Sequence, residues 1–275
     1  MLEFKRTPFA FGLTFIPGEA LDSLSRKEVG SADALAEACR ELKADFAFVP
    51  CCEPRSAEAV AALFEIGVAP FWAVDGPLWP VIQEYGITEG LRATLTCPDE
   101  VAERIDERMD AIADRIRDGV DLGARAVVIA EDLAGGQGPL VAPDFAIEVL
   151  LPRLKRLVDT ASALGVPTVL HSDGDIRLLL SAISRAGFGG VHAGGGLDFD
   201  GFEHLFLAAR KAGLVVIGGL QTVELGQGSP KATVLGSRAG MLAKSGGLLL
   251  ADDGGLTEPL QIATLAAALR AARDA

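Results

Sequence analysis

The sequence predicts an α/β chain that closes into a single (β/α)8 barrel of the TIM type over residues 1–275. Three observations carry this reading. About eight short apolar runs alternate with longer helical patterns from one end of the chain to the other. The runs are nearly continuous in Val, Ile, Leu and Phe, as parallel strands buried on both faces require. A glycine stands between helix and strand at Gly67, Gly123, Gly165, Gly187, Gly213 and Gly246, a stop signal repeated along the chain.

The predicted strands, in order, are Pro8–Phe15, Asp45–Pro50, Val68–Val74, Ala126–Ala130, Val166–Leu170, Gly189–Val191, Leu214–Ile217 and Gly247–Leu250. Helical patterns fill the gaps. Ser31 to Leu42 opens with an N-cap candidate and an acidic Asp33. From Pro98 to Leu122, Val101, Ile105, Met109, Ile112 and Ile116 recur at three- and four-residue steps, which places them on one face of a helix. Pro143 and Asp144 start another helix that runs to Gly165, Phe202–Ala212 is helical, and Thr257–Ala275 supplies the last. The short Gly86–Leu95 stretch reads either as a lid or as an ordinary connection. An open doubly wound sheet would show the same alternation, but no G-x-G-x-x-G loop follows the first strand, and the late Gly194–Gly196 cluster leads into Leu-Asp-Phe-Asp.

Apolar residues make up 49% of the chain and aromatics only 6%, so the core is built mainly from Ala, Val, Leu and Ile. A formal charge of −13 repels a phosphate backbone and argues against nucleic acid as a partner. Mean hydropathy is positive at +0.33, yet the apolar runs are broken by Gly or charge before reaching membrane-spanning length, so no membrane partner is expected. The residues after Met1 do not resemble a secretory signal, and the cytoplasm is the expected compartment. The cysteines, Cys39, Cys51, Cys52 and Cys97, contain no C-x-x-C pair, which argues against a disulfide framework or a zinc ribbon. Cys39 reads as core; Cys51 and Cys52 read as packing or as further ligands at the barrel mouth.

In a barrel the residues just after each strand converge on one face, where such enzymes keep their sites. Those positions hold Pro17 and Glu19 after the first strand, Cys51, Cys52 and Glu53 after the second, and Asp75 after the third. Glu131 and Asp132 follow the fourth, His171, Ser172, Asp173 and Asp175 the fifth, His192 the sixth, Gln221 the seventh, and Asp252 and Asp253 the eighth. Two of the three histidines fall there. An imidazole beside Asp173 offers a metal ligand or a general acid/base with a carboxylate to orient it; the alternative for His171 and His192 is a buried ring satisfied by backbone. The carboxylates read either as chemistry or as helix caps and solvated loop groups. His204 reads as surface.

These strand ends also carry a family likeness. Val166-Pro-Thr-Val-Leu-His171-Ser-Asp173-Gly-Asp175 resembles the strand-end motif of the uroporphyrinogen decarboxylase superfamily, which includes porphyrin decarboxylases and corrinoid-linked methyltransferases. Asp75-Gly76-Pro77-Leu78, Cys97-Pro98-Asp99-Glu100-Val101, Glu131-Asp132-Leu133-Ala134, Pro143-Asp144-Phe145, Leu151-Pro152-Arg153-Leu154-Lys155 and Ile217-Gly218-Gly219-Leu220-Gln221 follow in the superfamily's order, so the resemblance covers roughly 45–270. It implies a barrel independently of the strand count. The Arg-rich amino-terminal segment that grips an acidic porphyrin has no counterpart, since Arg6 is the only arginine before Arg26. The methyltransferase branch holds zinc with a His-x-Cys pair and a late Cys; here those positions are His171, Asp173 and the pair Asp252/Asp253.

The resemblance therefore implies a methyltransferase-like enzyme that moves a methyl group from a small methylated compound to a corrinoid on a partner protein or a related carrier. His171, Asp173 and Asp252 are the expected ligands of a divalent metal such as zinc, a harder set than thiolates that either suits oxygen-bearing substrates or binds no metal at all; an O-methyl or N-methyl donor is compatible with it. His171, Asp173, Glu131 and Asp132 are the expected catalytic groups, and Asp75, Gln221, His192 and Glu19 the expected substrate contacts. One alternative is a decarboxylase, for which Arg177, Arg185 and Arg210 are the late cationic candidates. A non-catalytic ligand-binding barrel is another.

Overall fold

The computed structural model describes residues 9–15, 32–256 and 259–275. Pro17, Glu19 and the ends of three predicted elements (Pro8, Ser31 and Thr257) lie outside the described residues. In chain order the elements are β1 (Gly12–Leu13), α1 (Ala32–Leu42), β2 (Phe46–Pro50), α2 (Ser56–Glu65), β3 (Ala69–Asp75), α3 (Leu78–Tyr85), α4 (Ile87–Thr96), α5 (Pro98–Asp121) and β4 (Ala126–Ala130). A short hairpin, β5 (Ala134–Gly135) and β6 (Gly138–Pro139), precedes α6 (Pro143–Phe145) and α7 (Leu151–Ala163). β7 (Thr168–Ser172), α8 (Leu180–Arg185), β8 (Gly190–Ala193), α9 (Phe199–Lys211), β9 (Val215–Leu220), α10 (Thr222–Leu225), α11 (Ser229–Lys244), β10 (Leu248–Asp252) and α12 (Pro259–Asp274) complete it.

Eight parallel strands form one sheet in the order β1-β2-β3-β4-β7-β8-β9-β10. The last strand returns to the first: Phe11 bridges Leu250 in parallel, and the Leu250 N–H donates to the Ala10 carbonyl at 2.9 Å. That closure makes the sheet a (β/α)8 barrel and rules out the open doubly wound alternative. The junction is tight, because a Cβ at Gly12 would enter the Phe46 ring; only glycine lets the first strand lie against that side chain.

Strand alternation sorts the core into two bodies. Phe46, Phe48, Phe71, Ala73, Ala126, Val128, Val169, Ile217 and Ala251 fill the barrel interior. The Phe46 and Phe71 rings stack at 4.8 Å, with Phe48 5.9 Å from Phe71. Their strand neighbours, such as Val49, Trp72, Val127, Ile129, Leu170, Val191 and Val216, face outward and pack under the helices. Trp72 lies beneath α5, where its Nε1–H donates to the Arg115 carbonyl at 2.9 Å and Gly119 makes room for the ring.

Two local features depart from the predicted pattern. The helix from Pro143 is interrupted by a π turn over Ala146–Leu150, with the Leu151 N–H reaching back to Ala146; Pro152 brings no N–H of its own to the next position. In the Gly86–Leu95 stretch, Gly86 caps α4 and the rest lies within it, packed onto α3 with Gly90 against the Ile82 backbone. No described helix is long and apolar enough to cross a membrane.

Candidate active site

The strands run further than their apolar residues. β7 reaches Ser172, β8 Ala193 and β10 Asp252, since the ladder continues through polar positions: the Glu131 N–H donates to the His171 carbonyl at 2.9 Å. His171 sits two residues after the interior Val169 and so points inward. It is the register partner of His192 on β8, and the two rings stack with centroids 4.8 Å apart. Their Nδ1 atoms are 2.8 Å apart, and His192 Nε2 lies 3.0 Å from the Asp252 backbone carbonyl. His192 is fully buried and His171 nearly so. Burial holds both imidazoles below their ordinary pKa, and for His171 the neighbouring ring adds to it.

Around the outward edge of His171 stand two carboxylates. Asp132 Oδ1 is 3.8 Å from His171 Nε2 and accepts the Asp173 N–H at 2.9 Å. One ligand atom from each of Asp132, His171 and Asp173 lies within 4.8 Å of the others. Asp173 is exposed on the rim, but partial desolvation, helped by the Asp132 charge, pushes it up to about 6. Its carboxylate rests over Gly195, and Gly254, at a φ of +109°, fits against His171, His192 and Asp173 where a side chain would crowd all three. His171 and Asp132 face a cavity of about 470 Å³ walled by Phe15, Asp75, Trp79, Pro80, Gln83, Ala130 and Gly254. That is the size of a small-molecule site.

The other predicted residues take different positions. Asp252 is not part of the His171 cluster: its fully buried carboxylate accepts the Thr14 N–H at 3.1 Å, the Thr14 hydroxyl, and the Gly254 N–H at 3.1 Å. It ties the end of β10 to the end of β1. Asp253, pushed up to about 7 by burial, accepts the Thr222 N–H at 3.1 Å and lies 3.4 Å from Gln221 Nε2. Gln221 is buried and also donates to the Gly194 and Leu197 carbonyls, anchoring the loop after β8. Glu131 is buried under α3, where it accepts the Leu78 and Trp79 N–H groups at 2.8 and 3.2 Å; desolvation pushes it up to about 8. It thereby sets α3, which presents Trp79 and Gln83 to the cavity. Asp75 is in the cavity wall. Glu19 lies outside the described residues.

Cys51 and Cys52 bring their sulfurs to 3.4 Å from each other, and Cys52 Sγ lies 3.7 Å from Asp75 Oδ2. Burial, with Cys52 beside it, pushes the Cys51 thiol up to about 12. Neither sulfur belongs to the His171 cluster. His204 is exposed on α9. Sequence reading missed Phe15, Trp79, Gln83 and Gly254. Phe15 looked like the last core residue of the first strand, while Trp79 directly follows the Asp75–Leu78 motif and was within reach of the same signal. The Trp79 indole N–H donates to the Asp132 carbonyl at 2.9 Å, fixing one wall to the acidic cluster.

Residues 82–250, more than half of the chain, match the family model described as uroporphyrinogen decarboxylase (URO-D). Among solved structures, a methyltransferase from Methanosarcina mazei aligns over 79% of this chain and 63% of its own, with 22% identity and a TM-score of 0.60. This chain thus spans under two thirds of that neighbour's length. A D-psicose 3-epimerase from Clostridium cellulolyticum H10, solved with D-tagatose, aligns over 96% and 98% of the two chains at 12% identity and a TM-score of 0.59. At such identities the likeness is one of fold. No curated protein matches the sequence.

Proposed function

The chain belongs to the uroporphyrinogen decarboxylase family, a family of enzymes, and on that premise we propose that it is methyltransferase-like, taking the methyl group of a small O- or N-methyl compound and passing it to a corrinoid on a partner protein or to a related carrier. The observation that supports this best is the Asp132–His171–Asp173 cluster on the edge of the cavity. One imidazole nitrogen and two carboxylate oxygens suit a divalent cation of borderline hardness such as zinc, and these three side chains would hold it. A bound cation supplies a Lewis acid for the heteroatom that carries the methyl group.

The chain's own groups do the rest. Phe15 and Trp79 line the cavity and limit water, and Asp75 and Asp132 give it an acidic lining that favours a neutral or cationic donor. As the bond to the methyl carbon breaks, the departing oxygen or nitrogen keeps the electron pair and takes its proton from solvent on leaving the cavity. Decarboxylation of a substrate with many carboxylates is less well supported. Among the described lining residues there is no Lys or Arg. Arg177 is paired with Asp175 at 2.6 Å, Arg185 borders a groove beside Leu151 and Lys155, and Arg210 lies over Phe206.

The test is elemental analysis of the purified protein with anaerobic methyl transfer from methylated ethers and amines to reduced cobalamin. His171→Ala and Asp173→Ala should each lower bound metal and turnover at least tenfold. Wild-type metal content and turnover in His171→Ala would refute the scheme, and CO2 release in place of methyl transfer would favour the decarboxylase.

A further inference from the structure

We propose that His192 is a positioning residue: through it, the Asp252 backbone carbonyl fixes His171 as the Nδ1–H tautomer and keeps the Nε2 lone pair directed at the Asp132–Asp173 cluster. The inference deepens the proposed function, but rests on hydrogen-bond geometry that holds whether or not methyl transfer takes place.

A carbonyl oxygen can only accept, so the 3.0 Å contact between His192 Nε2 and the Asp252 carbonyl requires the proton on Nε2. His192 is fully buried, and a charged ring there would forfeit its hydration, so the ring is neutral and its Nδ1 is bare. The Nδ1 to Nδ1 contact of 2.8 Å needs one proton between the rings, and His171 is the one that supplies it. His171, buried and neutral, is then bare at Nε2, the atom 3.8 Å from Asp132 Oδ1. A main-chain carbonyl on β10 thus selects, two rings away, which nitrogen of His171 can ligate a cation or accept a proton.

The packing holds the relay in place. His171 and His192 are register partners on adjacent strands. The Phe48 ring meets His192 edge-on at 5.2 Å and Phe15 lies 4.8 Å from His171, while Gly254 closes over both imidazoles. The Asp252 carboxylate is committed to Thr14 and Gly254, so its main chain serves the histidine and its side chain serves barrel closure. His192 is absent from the cavity wall, which distinguishes this role from substrate contact.

Long-range 1H–15N spectra of the histidine rings in the metal-free protein at neutral pH read the tautomer directly, with no substrate. His171 should show a protonated Nδ1 and an unprotonated Nε2, and His192 the reverse. In His192→Asn the amide oxygen can stand where Nδ1 stood and the His171 tautomer should persist. In His192→Phe it should shift toward Nε2–H, with zinc binding about ten- to hundred-fold weaker. A His171 ring protonated at Nε2 in the wild-type protein overturns the proposal whether or not the variants fold. So does a folded His192→Phe protein with unchanged His171 shifts and zinc affinity. Loss of methyl transfer activity with the predicted shifts intact would count only against the proposed reaction.

Discussion

Replacing Asp252 by alanine separates barrel closure from metal binding. The wild-type carboxylate is fully buried and accepts two main-chain N–H groups and one hydroxyl, from Thr14 and Gly254. Hydrogen bonds to a charged acceptor contribute roughly 1.5–3 kcal/mol each. Three such bonds do not add fully, because they share one acceptor group and water can enter at the short β1 strand. A loss of about 3–5 kcal/mol follows, in the range of other broken buried networks. For a chain of this size each kcal/mol lowers the melting temperature by about 2–4 °C, so Asp252→Ala should melt roughly 6–20 °C lower. The assay pairs calorimetry with zinc titration below the transition, where the Asp132–His171–Asp173 cluster should bind as in the wild type. Near-wild-type melting combined with lost zinc binding would make Asp252 a ligand and refute the assignment of its side chain to closure.

Asp253 should give the fold a pH-dependent liability. Its folded value of about 7 lies above the unfolded carboxylate value of about 3.9, so the native state binds the proton more tightly. Its contribution is therefore full below pH about 4 and lost as pH rises through about 7; the stability of Asp253→Asn relative to wild type, from urea unfolding, should rise across that window and level off above it. The two buried histidines act in the opposite sense. Their lowered values mean that stability is lost as pH falls below about 6.5, where the unfolded rings protonate, and replacing His192 by Phe should flatten that acid limb in chemical denaturation. Gly254→Ala should cost about 1–2 kcal/mol through its positive φ and displace Asp173, so zinc affinity should fall; an unchanged melting curve and affinity would show that the loop yields freely. Trp79→Phe removes the bond to the Asp132 carbonyl and should cost about 1 kcal/mol with a weakened metal site, read by the same titration.

The strand count, the strand order around the barrel and the helices α1, α5, α7, α9 and α12 were legible because their signals are local: a buried parallel strand must be apolar along its length, and a helix must present one apolar face. Even the placement of His171, Asp132 and Asp173 at one mouth follows from such signals, since strand ends converge once a barrel is assumed. What local signals do not carry is the destination of a buried polar side chain. Asp252, Glu131 and Gln221 look like site residues at their strand ends, yet their partners are Thr14, Leu78 and Gly194, which lie 238, 53 and 27 residues away in the chain. Sequence by itself determined which residues reach the rim, because side-chain period and hydrophobicity act over a few positions. Tertiary structure alone decided which of them stay available for chemistry, because every buried donor or acceptor must be matched, and only the closed barrel brings its match within reach.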